Sequence, residues 1–327
     1  MHVYRDEDSD LGLIRGRRVA VIGYGNQGRA QALNLRDSGV SVVIGLPEGS
    51  ASRARAEGEG FDVMTAAQAS GKAEVVVMLA ADELHSRIYA EEVAPNLAQG
   101  SALGFAHGLS IRFALVEPRP DLDVFLVAPK GPGTALRREY EQGSGLIALF
   151  AIHQDSTGRA EALALSYAAA IGSGRAGILR TSFAEECEAD LFNEQAVLWG
   201  AIPELIHAGF ETLVDAGFSP EIAYFECLTE VKLIADLIYE RGIAGMREAI
   251  SNTAEFGALK GGTRIVTADT RTEMRRILRE VKSGSFVKEL IADSEAGYPR
   301  LKASRVQAAA HPIEKVGERL KRLRDDR

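Results

Sequence analysis

The chain has 327 residues, of which 46% are hydrophobic and 26% charged, and its formal net charge is −8. This composition is typical of a soluble, globular protein of about two domains and excludes a disordered chain. The acidic balance makes nonspecific binding to nucleic acid or anionic membranes a poor expectation. No apolar run approaches the roughly 20 residues that a bilayer crossing requires. Cys187 and Cys227 form no CxxC motif, and the polar N-terminus is unlike a secretory signal, so we expect reduced thiols in a cytoplasmic protein.

A strand, a glycine-rich turn, a helix and a second strand follow one another near the N-terminus. The apolar run at 18–22 predicts a buried parallel strand. The turn that follows it has the form GxGxxG and consists of Gly23, Tyr24, Gly25, Asn26, Gln27 and Gly28. Gly25 would let the backbone approach a pyrophosphate, and Gly28 would let the helix pack closely on the strand. In this setting the motif predicts dinucleotide binding at the N-terminus of the helix.

Further apolar runs at 75–79, 102–106 and 124–127 alternate with helical segments such as 66–71 and 84–98. This alternation predicts an α/β fold, a Rossmann domain built on a doubly wound parallel sheet. Ligands of such sheets bind at the carboxyl ends of the strands.

Two polar residues are expected at this edge. His107 follows the second of these later strands and could transfer a proton. Lys130 follows the last and could bind phosphate, pair with an acid or hydrogen-bond a substrate oxygen. Position alone does not decide between a catalytic and a structural role for either residue.

The segment after the second strand leaves the type of cofactor open. Ser50 and Ser52 could bind the 2′-phosphate of NADPH, helped by Arg53 or Arg55, whereas Glu48 would repel it. Both NADPH and NADH therefore remain possible.

From residue 183 the pattern becomes helical, and two pairs of carboxylates are spaced four residues apart. Asp190 and Glu194 form one pair, and Glu226 and Glu230 form the other. This spacing places both acids of a pair on one helix face. Since both pairs lie in largely apolar stretches, a divalent metal such as Mg²⁺ would compensate their repulsion. The alternative is that they are solvated acids on exposed faces.

Several other polar residues are expected to have structural rather than catalytic roles. The acids around Glu186 are interpreted as the acidic first turn of a helix, which the helix dipole favours. Ser251 is expected to cap a helix. His153 is expected in a polar turn, and His207 on a helix surface.

The chain resembles the ketol-acid reductoisomerases, in their short form, over roughly residues 19–257. The resemblance rests on blocks such as AVIGYGNQGRAQALNLRDSGV, DVFLVAPKGPG, ADLFNEQAVL and ISNTAEFG. It implies a Rossmann domain over 1–182 that binds NADPH, and a knotted all-helical domain over 183–327 that binds two Mg²⁺ and substrate. The implied reaction moves an alkyl group within a 2-acetohydroxy acid, such as 2-acetolactate or 2-aceto-2-hydroxybutyrate, and then reduces the product to a 2,3-dihydroxy acid for branched-chain amino acid synthesis. A homodimer, or an assembly of dimers, is also implied.

The resemblance assigns roles residue by residue. The metal ligands are Asp190, Glu194, Glu226 and Glu230, and the polar groups at the reacting centre are His107, Lys130 and Glu230. The residues that line the cofactor are the glycine turn, from Gly23 through Gly28, with Ser50, Ser52, Asp82, Glu83, Leu84, His85 and Gly133. The residues near the substrate are Leu198, Trp199, Ile250, Ser251 and Ala254.

The sequence departs from the family pattern at several positions. Pro47 stands where an arginine is common, which puts a preference for NADPH in doubt. The usual LLPDE reads Leu79 to Glu83 as LAADE, and the usual HGFNIHF reads HGLSIRF from His107. Trp199 stands where the family usually has a smaller residue; it could fill part of the substrate pocket, or point into the helical core. The alternative to an ordinary member is therefore a specialised paralog that acts on a different 2-keto or 2-hydroxy-3-keto acid.

Overall fold

The computed structural model describes residues 2–325 and divides into two compact units, Met1–Ala189 and Asp190–Arg327. Each unit is described below by itself. None of the described helices combines the length and apolarity that a membrane crossing requires.

The first unit is built on one nine-stranded sheet. Its strands are β1 Val3–Tyr4, β2 Arg18–Ile22, β3 Ser41–Gly45, β4 Asp62–Met64, β5 Val75–Met78, β6 Ala102–Phe105, β7 Asp123–Pro129, β8 Ala148–Gln154 and β9 Ile178–Arg180. They are arranged in the order β1-β9-β8-β7-β6-β5-β2-β3-β4. From β4 to β7 all pairs are parallel, and this part has the strand order of dinucleotide-binding folds. The predicted doubly wound parallel sheet is confirmed, with an added edge in which β8 is antiparallel to β7 and β1 to β9.

The central strands are apolar throughout because both faces of the sheet are covered. In β2, Val19 and Val21 pack into one hydrophobic cluster, whereas Ala20 and Ile22 pack into a second one. Alternate residues of a strand point to opposite faces, so a continuous apolar run is what a strand between two helical layers requires.

Eight α-helices of the described first unit connect these strands. They are α1 Leu11–Arg15, α2 Asn26–Asp37, α3 Arg53–Gly58, α4 Ala66–Ser70, α5 His85–Ile88, α6 Leu109–Arg112, α7 Gly133–Glu141 and α8 Ala160–Ala170. A π turn at Tyr89–Val93 extends α5. The expected turn at His153 is wrong, because β8 continues to Gln154 and the pairing with β7 shifts register there, as in a β-bulge.

The rest of the described chain is helical. Helix α9, Phe183–Asn193, crosses the boundary between the units; the later helices are α10 Ala201–Asp215, α11 Pro220–Tyr224, α12 Glu230–Ala249, α13 Asn252–Ile265, α14 Ala268–Ser283, α15 Ser285–Glu295, α16 Pro299–Ala310 and α17 Pro312–Asp325. Two π turns interrupt them, at Glu194–Leu198 and at Phe225–Thr229.

The side chain of Ser251 accepts a hydrogen bond from the N–H of Ala254 at 3.2 Å, so the expected cap of α13 is confirmed. His207 is half-buried rather than a plain surface residue, and its ring stacks on that of His311.

Candidate active site

The glycine turn joins β2 to the twelve-residue helix α2. Gly25 caps this helix, and a Cβ atom added at Gly25 would meet no other atom within 4 Å. Packing within the protein therefore does not explain the glycine, whereas room for a ligand does. The free N–H groups and the positive dipole end of α2 suit a pyrophosphate at this position.

The polar side chains of the turn connect it to the segment that carries Lys130. Asn26 accepts a hydrogen bond from the N–H of Thr134 at 3.0 Å, and Gln27 donates to the carbonyl of Gly131 at 2.9 Å. These bonds fix the lysine segment against the dinucleotide turn. Gly133 begins α7 at the same place.

A buried carboxylate lies between His107 and Lys130. Glu186 Oε2 is 3.1 Å from His107 Nδ1 and accepts the N–H of Gly108 at 2.8 Å. Lys130 Nζ donates to Glu186 Oε1 at 2.9 Å. The Glu186 side chain is 1% exposed, so both of its oxygens are satisfied within the protein.

The charges in this cluster support one another. Burial by itself would raise the pKa of Glu186, but the hydrogen bond and charge of His107, together with Lys130, lower it. Burial would lower the pKa of His107, but hydrogen bonds with Cys187 and Glu186 and the Glu186 charge raise it well above its ordinary value. The three groups therefore favour one another's charged forms, since a charge is buried stably only when it is paired.

The start of α9 approaches the end of β6 closely enough to form this cluster. A Cβ atom at Gly108 would lie 2.2 Å from the carbonyl oxygen of Phe183, so only glycine permits the contact. Arg112 of α6 also donates to Glu188 at 2.8 Å. Three contacts thus join the turn after β6 to the start of α9. They are the close packing at Gly108, the hydrogen bond from the Gly108 N–H to Glu186, and the ion pair of Arg112 with Glu188.

The turn after β5 lies beside the same edge of the sheet. Asp82, Glu83 and Leu84 are half-buried there, as residues near a ligand can be. The side chain of His85 is instead 2% exposed, and both of its ring nitrogens contact protein atoms.

The segment after β3 contains the residues expected to distinguish the two cofactors. Ser50 and Ser52 are half-buried, and the Ser50 hydroxyl accepts the N–H of Ser52 at 3.3 Å. Arg53 contacts Glu57 at 3.3 Å and donates to the carbonyls of Val63 and Leu46 at 3.2 and 3.5 Å. The Nε atom of the same guanidinium is buried without a hydrogen-bond partner.

The four expected metal ligands all lie in the helical unit, and each pair includes a π turn. Asp190 is in α9 and Glu194 begins the first π turn; both are half-buried. Glu226 lies in the second π turn and Glu230 begins α12; both are exposed. Among the described residues, no group of three possible metal-ligating atoms combines one pair with the other.

The residues expected near the substrate are exposed or half-buried in the helical unit. Leu198 and Trp199 end the first π turn and are 41% and 65% exposed. Among the described residues of a single chain, Trp199 is therefore not packed into the helical core. Ile250 and Ser251 lie between α12 and α13, with Ala254 one turn later.

The sequence alone does not predict that Glu186 lies between His107 and Lys130, because the helix dipole already accounts for an acid in the first turn of a helix. A signal was nevertheless present, since Glu186, Asp190 and Glu194 are spaced four residues apart along α9 and the π turn that follows it. That spacing favours one helix face for all three.

Comparison with known proteins agrees over nearly the whole chain. Residues 13–177 match the family model for the NADPH-binding domain of acetohydroxy acid isomeroreductase, and residues 183–326 match the C-terminal domain of ketol-acid reductoisomerase. The chain belongs to the ketol-acid reductoisomerase family. It is thus an NAD(P)H-dependent oxidoreductase and isomerase of branched-chain amino acid synthesis.

Solved structures give the same result. An NADH-preferring ketol-acid reductoisomerase from an uncultured archean is 42% identical, with a TM-score of 0.96 and 99% of each chain covered. A semialdehyde dehydrogenase NAD-binding protein from Cupriavidus necator, in complex with calcium and NAD, is 18% identical, with a TM-score of 0.61 over 82% of this chain and 99% of that one. A 1-pyrroline-5-carboxylate reductase from Streptococcus pyogenes is 15% identical, with a TM-score of 0.55 over 82% and 98%. The last two show a likeness of fold alone.

The geometry predicts the effect of Glu186→Gln. This change removes the negative charge that raises the pKa of His107, so that pKa should fall, and NMR titration of the ring should show the fall directly. Because His107 and Lys130 lose their common partner, turnover should drop by about 100-fold or more. Glu185→Gln, an exposed neighbour on α9, is the control and should change neither. An unchanged His107 titration in Glu186→Gln would contradict this account of the cluster.

Proposed function

We propose that His107, Lys130 and Glu230 act at the reacting centre and that the two carboxylate pairs hold two Mg²⁺ ions. The observation that carries the proposal is the buried ion cluster of Glu186, His107 and Lys130, which is next to the dinucleotide turn. The donor set fits Mg²⁺, because carboxylate oxygens are the ligands this ion prefers. This proposal also includes the cofactor and substrate contacts that the family resemblance implies. It likewise includes the boundary between the domains after residue 182.

In this assignment the chain's own residues bind, orient and hold protons. Mg²⁺ would act as a Lewis acid towards the hydroxyl and carbonyl oxygens of a 2-acetohydroxy acid, and the nicotinamide would supply the hydride. Lys130 and His107, which both contact Glu186, can hold a proton at an oxygen whose charge changes during the reaction. Glu230 would contact both metal and substrate, and Ser251 would contact substrate.

We further propose that the working site forms between two copies of the chain, in the cytoplasm. Among the described residues, all of the exposed large hydrophobic side chains except Val3 and Ile147 lie between Val197 and Val306. An exposed apolar surface of this kind typically marks an interface. A second copy would cover it, and would bring the Glu226 and Glu230 pair of one chain to the Asp190 and Glu194 pair of the other.

Mixed dimers test both proposals together. Asp190→Asn and Glu230→Gln should each be inactive with 2-acetolactate, and co-expression should restore about a quarter of the wild-type activity, since half of the dimers would contain one intact site. Co-expression of the single variants Asp190→Asn and Glu194→Gln is the matched control. It should stay inactive, because both changes affect the same carboxylate pair and no mixed dimer would contain an intact site.

Two outcomes would refute these assignments. Failure of the first mixture to regain activity, when both chains are shown to associate, would refute the shared site. Wild-type turnover that is unaffected by removal of Mg²⁺ with EDTA would refute the metal assignment.

For the cofactor, we propose that NADH is used at least as well as NADPH. Glu48 is exposed and would repel a 2′-phosphate, Pro47 offers no side-chain donor, and one terminal nitrogen of Arg53 is paired with Glu57. An acidic residue after the second strand of a Rossmann fold typically recognises ribose hydroxyls. The related archaeal enzyme that prefers NADH supports the same assignment.

The double variant Glu48→Gln, Glu57→Gln should shift the preference towards NADPH. It removes the repulsion and releases Arg53, so the ratio of kcat/KM for NADPH over NADH should rise by roughly tenfold, equivalent to about 1.4 kcal/mol. Glu91→Gln is the control, since Glu91 is another exposed acid paired with an arginine four residues away. A wild-type enzyme that favours NADPH by tenfold or more would contradict the proposal.

Trp199 provides a separate proposal on the alkyl groups of the substrate. Its side chain is mostly exposed and directly follows the π turn that begins at Glu194. We propose that it lines the substrate pocket and limits its size, as a specialised paralog would require.

Trp199→Cys should therefore raise kcat/KM for 2-aceto-2-hydroxybutyrate relative to 2-acetolactate, because one additional methylene in a hydrophobic pocket is worth about 1–3 kcal/mol. Tyr239→Cys removes another exposed aromatic side chain of the helical unit and should leave the ratio unchanged. Equal ratios in the wild type and Trp199→Cys would show that Trp199 does not line the pocket.

A further inference from the structure

The imidazole of His85 connects two turns at the carboxyl edge of the sheet. His85 follows β5, and its Nδ1 atom is 2.8 Å from the hydroxyl oxygen of Ser110, which lies in α6 after β6. Its Nε2 atom is 3.0 Å from the carbonyl oxygen of Ala80. Ser110 is fully buried and His85 almost so, which makes this a direct bond shielded from water.

The contacts determine which ring nitrogen carries the proton. A carbonyl oxygen can only accept, so Nε2 must donate to Ala80. In the neutral ring Nδ1 is then an acceptor, and the Ser110 hydroxyl donates to it. Burial lowers the pKa of His85, an effect that outweighs the opposing charge of Asp82, which keeps the ring neutral. Every polar atom of the pair is thus used within the protein.

The two turns that the pair connects carry different parts of the proposed site. The first holds Asp82 and Glu83, which are proposed to line the cofactor. The second begins with His107, whose ring contacts Glu186. The strands β5 and β6 are hydrogen-bonded neighbours, so they fix the distance between the two turns where the turns begin. Beyond the strand ends, no backbone hydrogen bonds between the strands hold the turns at that distance.

We infer that His85 and Ser110 are a positioning pair, which holds the turn carrying His107 at a fixed distance from the turn that lines the cofactor. Neither residue touches the reacting atoms. The pair keeps the proton-holding group in register with the nicotinamide, and small misplacements of such groups cost large factors in rate. This inference rests on the proposed roles of His107 and of the turn after β5.

Ser110→Ala and His85→Leu test the inference, with His85→Gln as the conservative variant. The glutamine amide keeps one donor and one acceptor, so it can contact both Ala80 and Ser110. Ser70→Ala is the matched control, because the Ser70 hydroxyl is buried without a hydrogen-bond partner. For each variant we would measure kcat and KM with 2-acetolactate, the Kd for NADH and the melting temperature.

We expect Ser110→Ala and His85→Leu to lower kcat by about tenfold or more, with KM for 2-acetolactate within about twofold of wild type. For Ser110→Ala, whose residue is not among the proposed cofactor contacts, the Kd for NADH should also stay within about twofold. His85→Gln should recover most of the loss, and Ser70→Ala should have none. The Ser110→Ala, His85→Leu double variant should be no slower than the slower single variant, because both changes remove one bond.

Two results would overturn the inference. One is kcat within twofold of wild type in both disruptive variants. The other is a loss of kcat that follows the melting temperature across all variants and is not recovered by His85→Gln, which would indicate general destabilisation. A wild-type enzyme without any turnover would instead refute the proposed function, so the two failures are distinguishable.

Discussion

The site depends on one buried carboxylate. Glu186 accepts hydrogen bonds from three groups on two segments of the chain: the His107 ring and the Gly108 amide after β6, and the Lys130 ammonium after β7. Removing a charged group from water is costly unless it is paired. The charge of Glu186 therefore requires both cations to stay close, and the cations in turn require the carboxylate. This mutual requirement fixes the distance between two residues that are 23 positions apart in the sequence.

The sheet makes such an arrangement possible. The strands β2, β5, β6 and β7 are parallel, so the segments that follow them all leave the sheet along one edge. The strand order reverses between β2 and β5. Ligands of open α/β sheets bind outside the carboxyl ends of the strands at such a point. The glycine turn and the segments of His85, His107 and Lys130 all follow these strands. The parallel arrangement of the strands thus brings a dinucleotide turn and several titratable side chains to the same edge of the sheet.

The features that could be predicted from the sequence depend on local patterns. The glycine turn, the buried strands and the Ser251 cap each depend on a few adjacent residues, so their periodicity and composition were sufficient. The orientation of His85 and the burial of Glu186 depend on contacts with Ser110 and Lys130, which are distant in sequence. No local pattern specifies such partners, and an acid in a first helical turn is satisfied by the dipole alone. The exposure of Trp199 likewise depends on what surrounds it in the folded unit.

The π turns at Glu194–Leu198 and Phe225–Thr229 limit how this chain can change in length. A π turn closes its hydrogen bonds one residue later than an α turn, so it contains one residue that a regular helix would not need. Loss of that residue would let the helix close without a break, and folding would tolerate it. However, Glu226 and Glu230 would then be three residues apart instead of four. That spacing still places both acids on one helix face, but it changes the offset between their carboxylates, because each residue of an α-helix accounts for about 100° of rotation. A deletion in the second π turn would therefore leave the helix intact and still change how the Glu226 and Glu230 carboxylates are placed, so selection acts there on residue count as well as on residue identity.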